Sequence, residues 1–259
     1  MKRDFKIGLV LSGGGTRGLA HLGVLKALAE MGIKPDIISG TSSGAIIGVL
    51  YSAGYSLEAI AEIFKINKIF QFNNLAWNNS GLLKSESCEK ICKLYLKKKS
   101  FEDLQIPLII SATDILKGKT LFFSSGNLPK IIAASSALPV LFEPVRYKSH
   151  LLIDGSTISC FPVEPLVRRC NFIIGSYTNP VNEIKVITRI TQLIDRSIHL
   201  CLLNDVNQKK NYCDLFIEPP LLTNYSMFDF KKVDEIREVG YEYTMGMKNE
   251  IQKLIKQVK

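Results

Sequence analysis

Ser42 lies in Gly40-Thr41-Ser42-Ser43-Gly44, between the short run Asp36 to Ser39 and the apolar stretch Ala45 to Ala53. This is G-x-S-x-G at a strand-to-helix junction, the pattern of a nucleophile elbow. Such a turn strains the serine backbone and needs small neighbours, here Gly40 and Gly44, so that strand and helix can pass closely. It pushes the hydroxyl out of the sheet, toward the positive end of the following helix dipole. A hydroxyl so placed suits attack on an acyl carbon. The pentapeptide alone also fits a plain βα turn.

Two further stretches carry chemistry. Ser12-Gly13-Gly14-Gly15-Thr16-Arg17-Gly18 follows an apolar run, Lys6 to Leu11. Gly13, Gly15 and Gly18 satisfy G-x-G-x-x-G, but a dinucleotide site needs an acid at the end of the second strand. Asp36 begins that strand, and its end carries Gly40-Thr41-Ser42, so the dinucleotide reading fails on position. The alternative is a loop whose bare N–H groups converge on an oxyanion at a helix N-terminus. Arg17 is placed to hold that loop or to meet an anionic head group. Asp154-Gly155-Ser156 ends the run Tyr147 to Ile153, where either a functional acid or a simple turn is at home.

Three histidines are present. A triad in the order Ser, Asp, His would leave only His199 after Asp154. It lies mid-helix and reads as a partly buried structural residue. His21 is expected to support the elbow or loop, and His150 to be an exposed strand residue. No His, Cys, Asp or Glu grouping has metal-ligand spacing, so no metal and no cofactor are expected.

Strands are expected at Lys6 to Leu11, Asp36 to Ser39, Pro107 to Thr113, Thr120 to Phe123, Tyr147 to Ile153, Phe172 to Tyr177 and Asp214 to Ile217. Helices are expected at Leu19 to Met31, Gly44 to Ala53, Ser56 to Phe64, Lys84 to Leu96, Leu128 to Ala137, Val163 to Arg168, Val186 to Asn207, and once or twice within Phe230 to Val258. Alternation of the two makes a single three-layer α/β/α domain over residues 1–259, with a mostly parallel sheet, the economical architecture. The segment Ile66 to Leu82 is rich in Asn and scattered apolar residues and reads as a connector or a flap.

The chain has 259 residues, 46% of them hydrophobic and 22% charged, in the ordinary globular range. No run approaches the roughly 18 apolar residues of a membrane span, and Ile7 to Leu11 is too short for a signal-peptide core. A cytoplasmic protein is expected, and the six cysteines are expected to be reduced core thiols. Net charge is +9, in clusters such as Lys97-Lys98-Lys99 and Lys209-Lys210. Few arginines and no interleaved aromatics disfavour nucleic acid, leaving solvated faces or an anionic membrane surface.

Taken in order, Gly13 to Gly18, Gly40 to Gly44 and Asp154 to Ser156 resemble the patatin-like phospholipases, particularly their short single-domain bacterial members. Arg17 to Leu25 is similar to that family's first helix, and Ala134 to Pro139 with Phe142 and Pro144 to its segment before the catalytic acid. The resemblance implies a patatin-like fold and a Ser–Asp dyad, with Ser42 as nucleophile and Asp154 as base. It implies an oxyanion hole from Gly13, Gly14 and Gly15, with Arg17, Gly18, Gly40, Gly44 and Gly155 in support. Ser156 departs from the Gly or Ala usual in the family. The implied substrates are phospholipids or other acyl-ester lipids, hydrolysed as a phospholipase A or lysophospholipase does. Separately, the +9 charge and the apolar residues of Ile66 to Leu82 lead to an expectation of peripheral contact with anionic membranes at the inner membrane face. A carboxylesterase for small soluble esters and a non-catalytic lipid-binding module are the rival readings. The dyad is chemically coherent in itself, since a buried carboxylate beside a hydroxyl is a stronger base than one in water.

Overall fold

The computed structural model describes residues 4–67, 86–97, 100–188 and 190–256. The elements are β1 (Phe5–Leu11), a 3-10 stretch Gly15–Leu19 leading into α1 (Ala20–Glu30), β2 (Ile37–Gly40), α2 (Ser43–Ser52), α3 (Leu57–Asn67), α4 (Glu86–Leu96), β3 (Leu108–Asp114), β4 (Lys119–Phe123) and α5 (Leu128–Ser135). Then come β5 (Val145–Tyr147), β6 (His150–Asp154), β7 (Cys170–Ser176), α6 (Ile190–Lys209), β8 (Leu215–Ile217), α7 (Val233–Gly246) and α8 (Lys248–Lys256).

The strands form one sheet in the order β5-β6-β3-β2-β1-β7-β8, with β4 also paired to β3. β1, β2, β3, β7 and β8 pair in parallel, whereas β4 and β6 run antiparallel to β3, and β5 to β6. Period-two alternation splits the buried side chains between two cores. Leu9, Leu11, Ile38, Ile110 and Ile174 face α1, α2, α3, α5, α7 and α8. Val10, Ile37, Ile109 and Ile173 face the other way, against Phe161, Val163, Leu166 and the α6 residues Leu202 and Val206. The sheet is therefore a middle layer, and α6 is the long helix of its sparser side.

Two features bring distant chain segments together. β2 reaches Ile110 of β3 through Gly40, and β6 takes up β3 from Ala112 onward through Asp154. The ends of β2 and β6 thus converge on one strand, although they are far apart in sequence. On the opposite side of the sheet from α6, α1 and α7 cross with their backbones in contact. A Cβ added to Gly23 would run into the Arg237 carbonyl, and one on Gly240 into that of Ala20.

Two expectations are corrected. The run Tyr147 to Ile153 is a hairpin, β5 and β6, reversing at Lys148-Ser149 with Tyr147 opposite His150. Lys148 takes a left-handed conformation, φ 52°, so a turn normally signalled by Gly or Asn carries no such signal here. Val163 to Arg168 forms successive turns instead of a helix, because Pro165 excludes the helical region for Glu164. The apolar positions 68–82 of the expected connector or flap lie outside the described residues.

Candidate active site

Ser42 joins β2 to α2 with φ 52° and ψ −122°, a conformation that disfavours any side chain. What holds it there is close packing. A Cβ on Gly44 would meet the Leu11 and Ser12 carbonyls, and one on Gly40 would lie 2.8 Å from the Gly44 carbonyl oxygen. The Ser42 N–H donates to Ser135 Oγ of α5 at 2.9 Å. Its own hydroxyl does not cap α2 but donates to Asp154 Oδ2 at 2.7 Å.

Asp154 is only 2% exposed. Its backbone N–H donates to the Ala137 carbonyl, and Oδ1 accepts the Ser156 N–H at 2.7 Å. One carboxylate oxygen is thereby anchored and the other faces Ser42. Burial pushes the Asp154 carboxyl up to about 6, against the opposing pull of the hydrogen bonds from Ser42 and Ser156. Gly155 is held tightly behind it, where a Cβ would lie 2.7 Å from the Ser111 carbonyl. The arrangement is a base of useful strength in direct contact with a hydroxyl.

The Gly13–Gly15 loop lies alongside, and an added Cβ on Gly13 would be 3.3 Å from Ser42 Cβ. Its three N–H groups are not equivalent. Gly13 N–H is committed to the Cys160 carbonyl at 3.0 Å, so it cannot serve as the oxyanion donor expected of it. Among the described residues, no acceptor takes the N–H of Gly14 or Gly15, and both residues line the small pocket that holds Ser42 and Asp154. Two N–H donors remain for an oxyanion.

The loop is braced from behind. His21 Nε2–H donates to the Ser12 carbonyl at 2.9 Å, and Nδ1 accepts from the Ser176 hydroxyl at 2.7 Å. Burial pushes the His21 imidazole down to about 4, so it stays neutral and keeps this tautomer at neutral pH. Arg17 is 5% exposed. Its Nε donates to the Tyr225 carbonyl at 2.6 Å and its Nη1 to His199 Nε2 at 3.1 Å. Gly18 permits this close turn, since a Cβ there would sit 2.7 Å from Ser43 Cβ. His150 is half-buried and bonded to Asp114 at 2.6 Å, not the exposed strand residue expected; that contact holds the Asp114 carboxyl below its ordinary value.

The Ser42 pocket is small, about 40 Å³. It shares Leu138, Leu141, Ile198 and Leu202 with a neighbouring cleft of about 1260 Å³. That cleft runs between the 138–141 loop, residues 180–187 and one side of α6. Its rim leaves apolar side chains in solvent: Val140 is 76% exposed, Val186 73% and Ile194 48%. Of the five described cysteines, Cys92, Cys160 and Cys170 are buried, whereas Cys201 is exposed on the cleft wall, contrary to the core reading. Ser135 lies within the family-like segment Ala134 to Pro139 without having been singled out, whereas Asn179 and His199 contribute with no motif around them. The one hint was positional, since Asn179 lies three residues past the end of β7, the strand next to the one that carries the Gly loop.

Comparison with known proteins gives a consistent result. Residues 9–167 match the patatin-like phospholipase family. Lysophospholipase NTE1 of Kluyveromyces lactis is 29% identical over 92% of this chain, which spans 19% of that protein. The chain is thus about a fifth as long as this curated relative. Among solved structures, VipD from Legionella pneumophila superposes with a TM-score of 0.55 at 14% identity, covering 95% of this chain and 67% of VipD. Human GIVD cytosolic phospholipase A2 gives 0.53 at 10% identity, covering 98% of this chain and 60% of the other. These two likenesses speak to the fold, and the family match covers more than half of the chain. The chain belongs to the patatin-like phospholipases, a family of carboxylic ester hydrolases.

Proposed function

We propose that the protein is a serine acyl hydrolase acting on phospholipids, of the phospholipase A or lysophospholipase type, through a Ser42–Asp154 dyad. The observation that carries this reading is the 2.7 Å bond from Ser42 Oγ to Asp154 Oδ2 beside an apolar cleft of about 1260 Å³. As Ser42 Oγ attacks the ester carbonyl, Asp154 takes its proton. The carbonyl oxygen gains charge and is met by the N–H groups of Gly14 and Gly15. Asp154 then protonates the leaving alcohol, and the acyl group remains on Ser42. A water activated by Asp154 releases the fatty acid and restores the serine.

The cleft favours a lipid over a small soluble ester, because it is larger than the roughly 300–1,000 Å³ of ordinary small-molecule sites. A purely binding module has no use for a buried carboxylate aligned on a strained serine, since both features cost stability. The exposed rim residues Val140, Val186 and Ile194 suit peripheral contact with a bilayer from which an acyl chain could enter the cleft. Basic residues would add roughly 1 kcal/mol each on an anionic surface. Among the described residues, no helix is long and apolar enough to cross a membrane. A panel of nitrophenyl esters of increasing chain length, lysophospholipids and diacyl phospholipid vesicles tests the reading. Turnover should rise with chain length and extend to the lipids. Cleavage confined to acetyl and butyryl esters would favour the small-ester alternative.

A further inference from the structure

We propose that Asn179 is a positioning residue that keeps the Gly14 N–H aimed at the developing oxyanion. This rests on the dyad and loop assignment above.

The Gly13–Gly14 peptide is flanked by glycine on both sides, and glycine populates both senses of φ with little penalty. Such a peptide can rotate as a unit. Because it is trans, its carbonyl and N–H point in opposite directions. Rotation would turn the Gly13 carbonyl toward the place where the oxyanion forms, replacing a donor by an acceptor. The neighbouring Gly14–Gly15 peptide has its own stop, since the Gly14 carbonyl accepts the Arg17 N–H at 3.1 Å.

For Gly13–Gly14 the stop comes from outside the loop. Asn179 Nδ2 donates to the Gly13 carbonyl at 2.6 Å, and Thr178 Oγ1 reaches the same oxygen at a weaker 3.4 Å. With that carbonyl held on the Asn179 side, the Gly14 N–H is turned away from Asn179. Asn179 is fully buried and also lines the Ser42 pocket. Its other atom, Oδ1, lies 3.2 Å from His199 Nε2, a contact without a hydrogen bond while that nitrogen accepts from Arg17 Nη1, so the hold on the loop is the Nδ2 bond to the Gly13 carbonyl.

The test compares Asn179→Ala and the near-isosteric Asn179→Leu, neither of which can donate to the Gly13 carbonyl, on a lysophospholipid substrate. In both variants kcat should fall at least about tenfold, and by no more than the roughly 10²–10³ of losing a donor outright, while KM stays near wild type. A lipid trifluoromethyl ketone, which forms a tetrahedral oxyanion on the serine, should lose affinity by the same factor as kcat. An ether lysolipid without a carbonyl should bind unchanged. Where the alanine variant fails to fold, the leucine variant decides. Wild-type kcat in either folded variant overturns the inference, as does equal weakening of the ketone and the ether lipid, which marks a merely structural role. In that event inactive Ser42→Ala and Asp154→Asn would leave the dyad standing, whereas an active Ser42→Ala would bring down the underlying reading itself.

Discussion

Relative to wild type, the Asp154→Asn protein should gain stability as pH rises from about 4 to about 6. The carboxyl ionises near 3.8 when exposed and at about 6 in the fold, chiefly because it is buried. Below about pH 4 both states hold the proton and the group is neutral in the balance. As pH rises from there, the unfolded chain ionises first, so the fold loses stability until the native carboxyl also ionises near 6. That interval, from 3.8 to about 6, amounts to roughly 3 kcal/mol at about 1.36 kcal/mol per pH unit. Asparagine has no such dependence. Whatever fixed difference its altered hydrogen bonds to Ser42 and Ser156 introduce, the stability gap between variant and wild type should widen in the variant's favour by up to about 3 kcal/mol between about pH 4 and pH 7. Denaturant unfolding of both proteins across that range, read at constant m-value, measures it. The same titration should give wild-type kcat/KM an acid limb near pH 6, because a protonated Asp154 cannot accept the serine proton. A gap that stays flat with pH would falsify the assignment of a buried, ionisable base.

Other outcomes follow from the geometry. Ser42→Ala and Ser42→Gly should both be inactive, but the glycine variant should be about 1–2 kcal/mol the more stable in thermal unfolding, because it relieves the strain of φ 52° at that position. Gly14→Ala should lower kcat by the equivalent of about 2.7–4 kcal/mol, since the new Cβ would lie 2.6 Å from Thr178 Oγ1 and 2.8 Å from Asn179 Oδ1; near-normal turnover would show that the loop is only a turn. Replacing Val186 and Ile194 together by serine should reduce hydrolysis of vesicle lipids while sparing a short-chain soluble ester, as both side chains stand in solvent at the cleft rim. Equal losses on the two substrates would remove the rim from any membrane role.

What was legible in the sequence was local. The elbow announces itself because strand, small residues, serine and helix are contiguous, and the Gly loop because glycines are needed where backbones nearly touch. The pairing of Ser42 with Asp154 was not visible in spacing, since it depends on β6 joining β3 just beyond the end of β2. The family resemblance supplied that pairing. The unequal parts of the three loop glycines depended on Cys160, which takes the Gly13 N–H from a turn distant in sequence. Asn179 had no motif around it, because an amide before proline at a strand end looks like any other turn. His199 was rightly placed within a helix but is buried where partial burial was expected, and its bond to Arg17 could not be read from one helix. The hairpin at Lys148 was missed because a lysine occupies a backbone conformation that ordinarily calls for glycine.

The central claim, that Ser42 activated by Asp154 is the acylating group, is tested most directly by covalent labelling. The protein is treated with a lipid-like fluorophosphonate and the modified peptide is mapped by mass spectrometry, in parallel with Ser42→Ala and Asp154→Asn. A single adduct on Ser42 is expected, absent from Ser42→Ala and slowed by orders of magnitude in Asp154→Asn, with lysophospholipid hydrolysis lost in step. An adduct on Ser43, or undiminished labelling and hydrolysis in either variant, would contradict it.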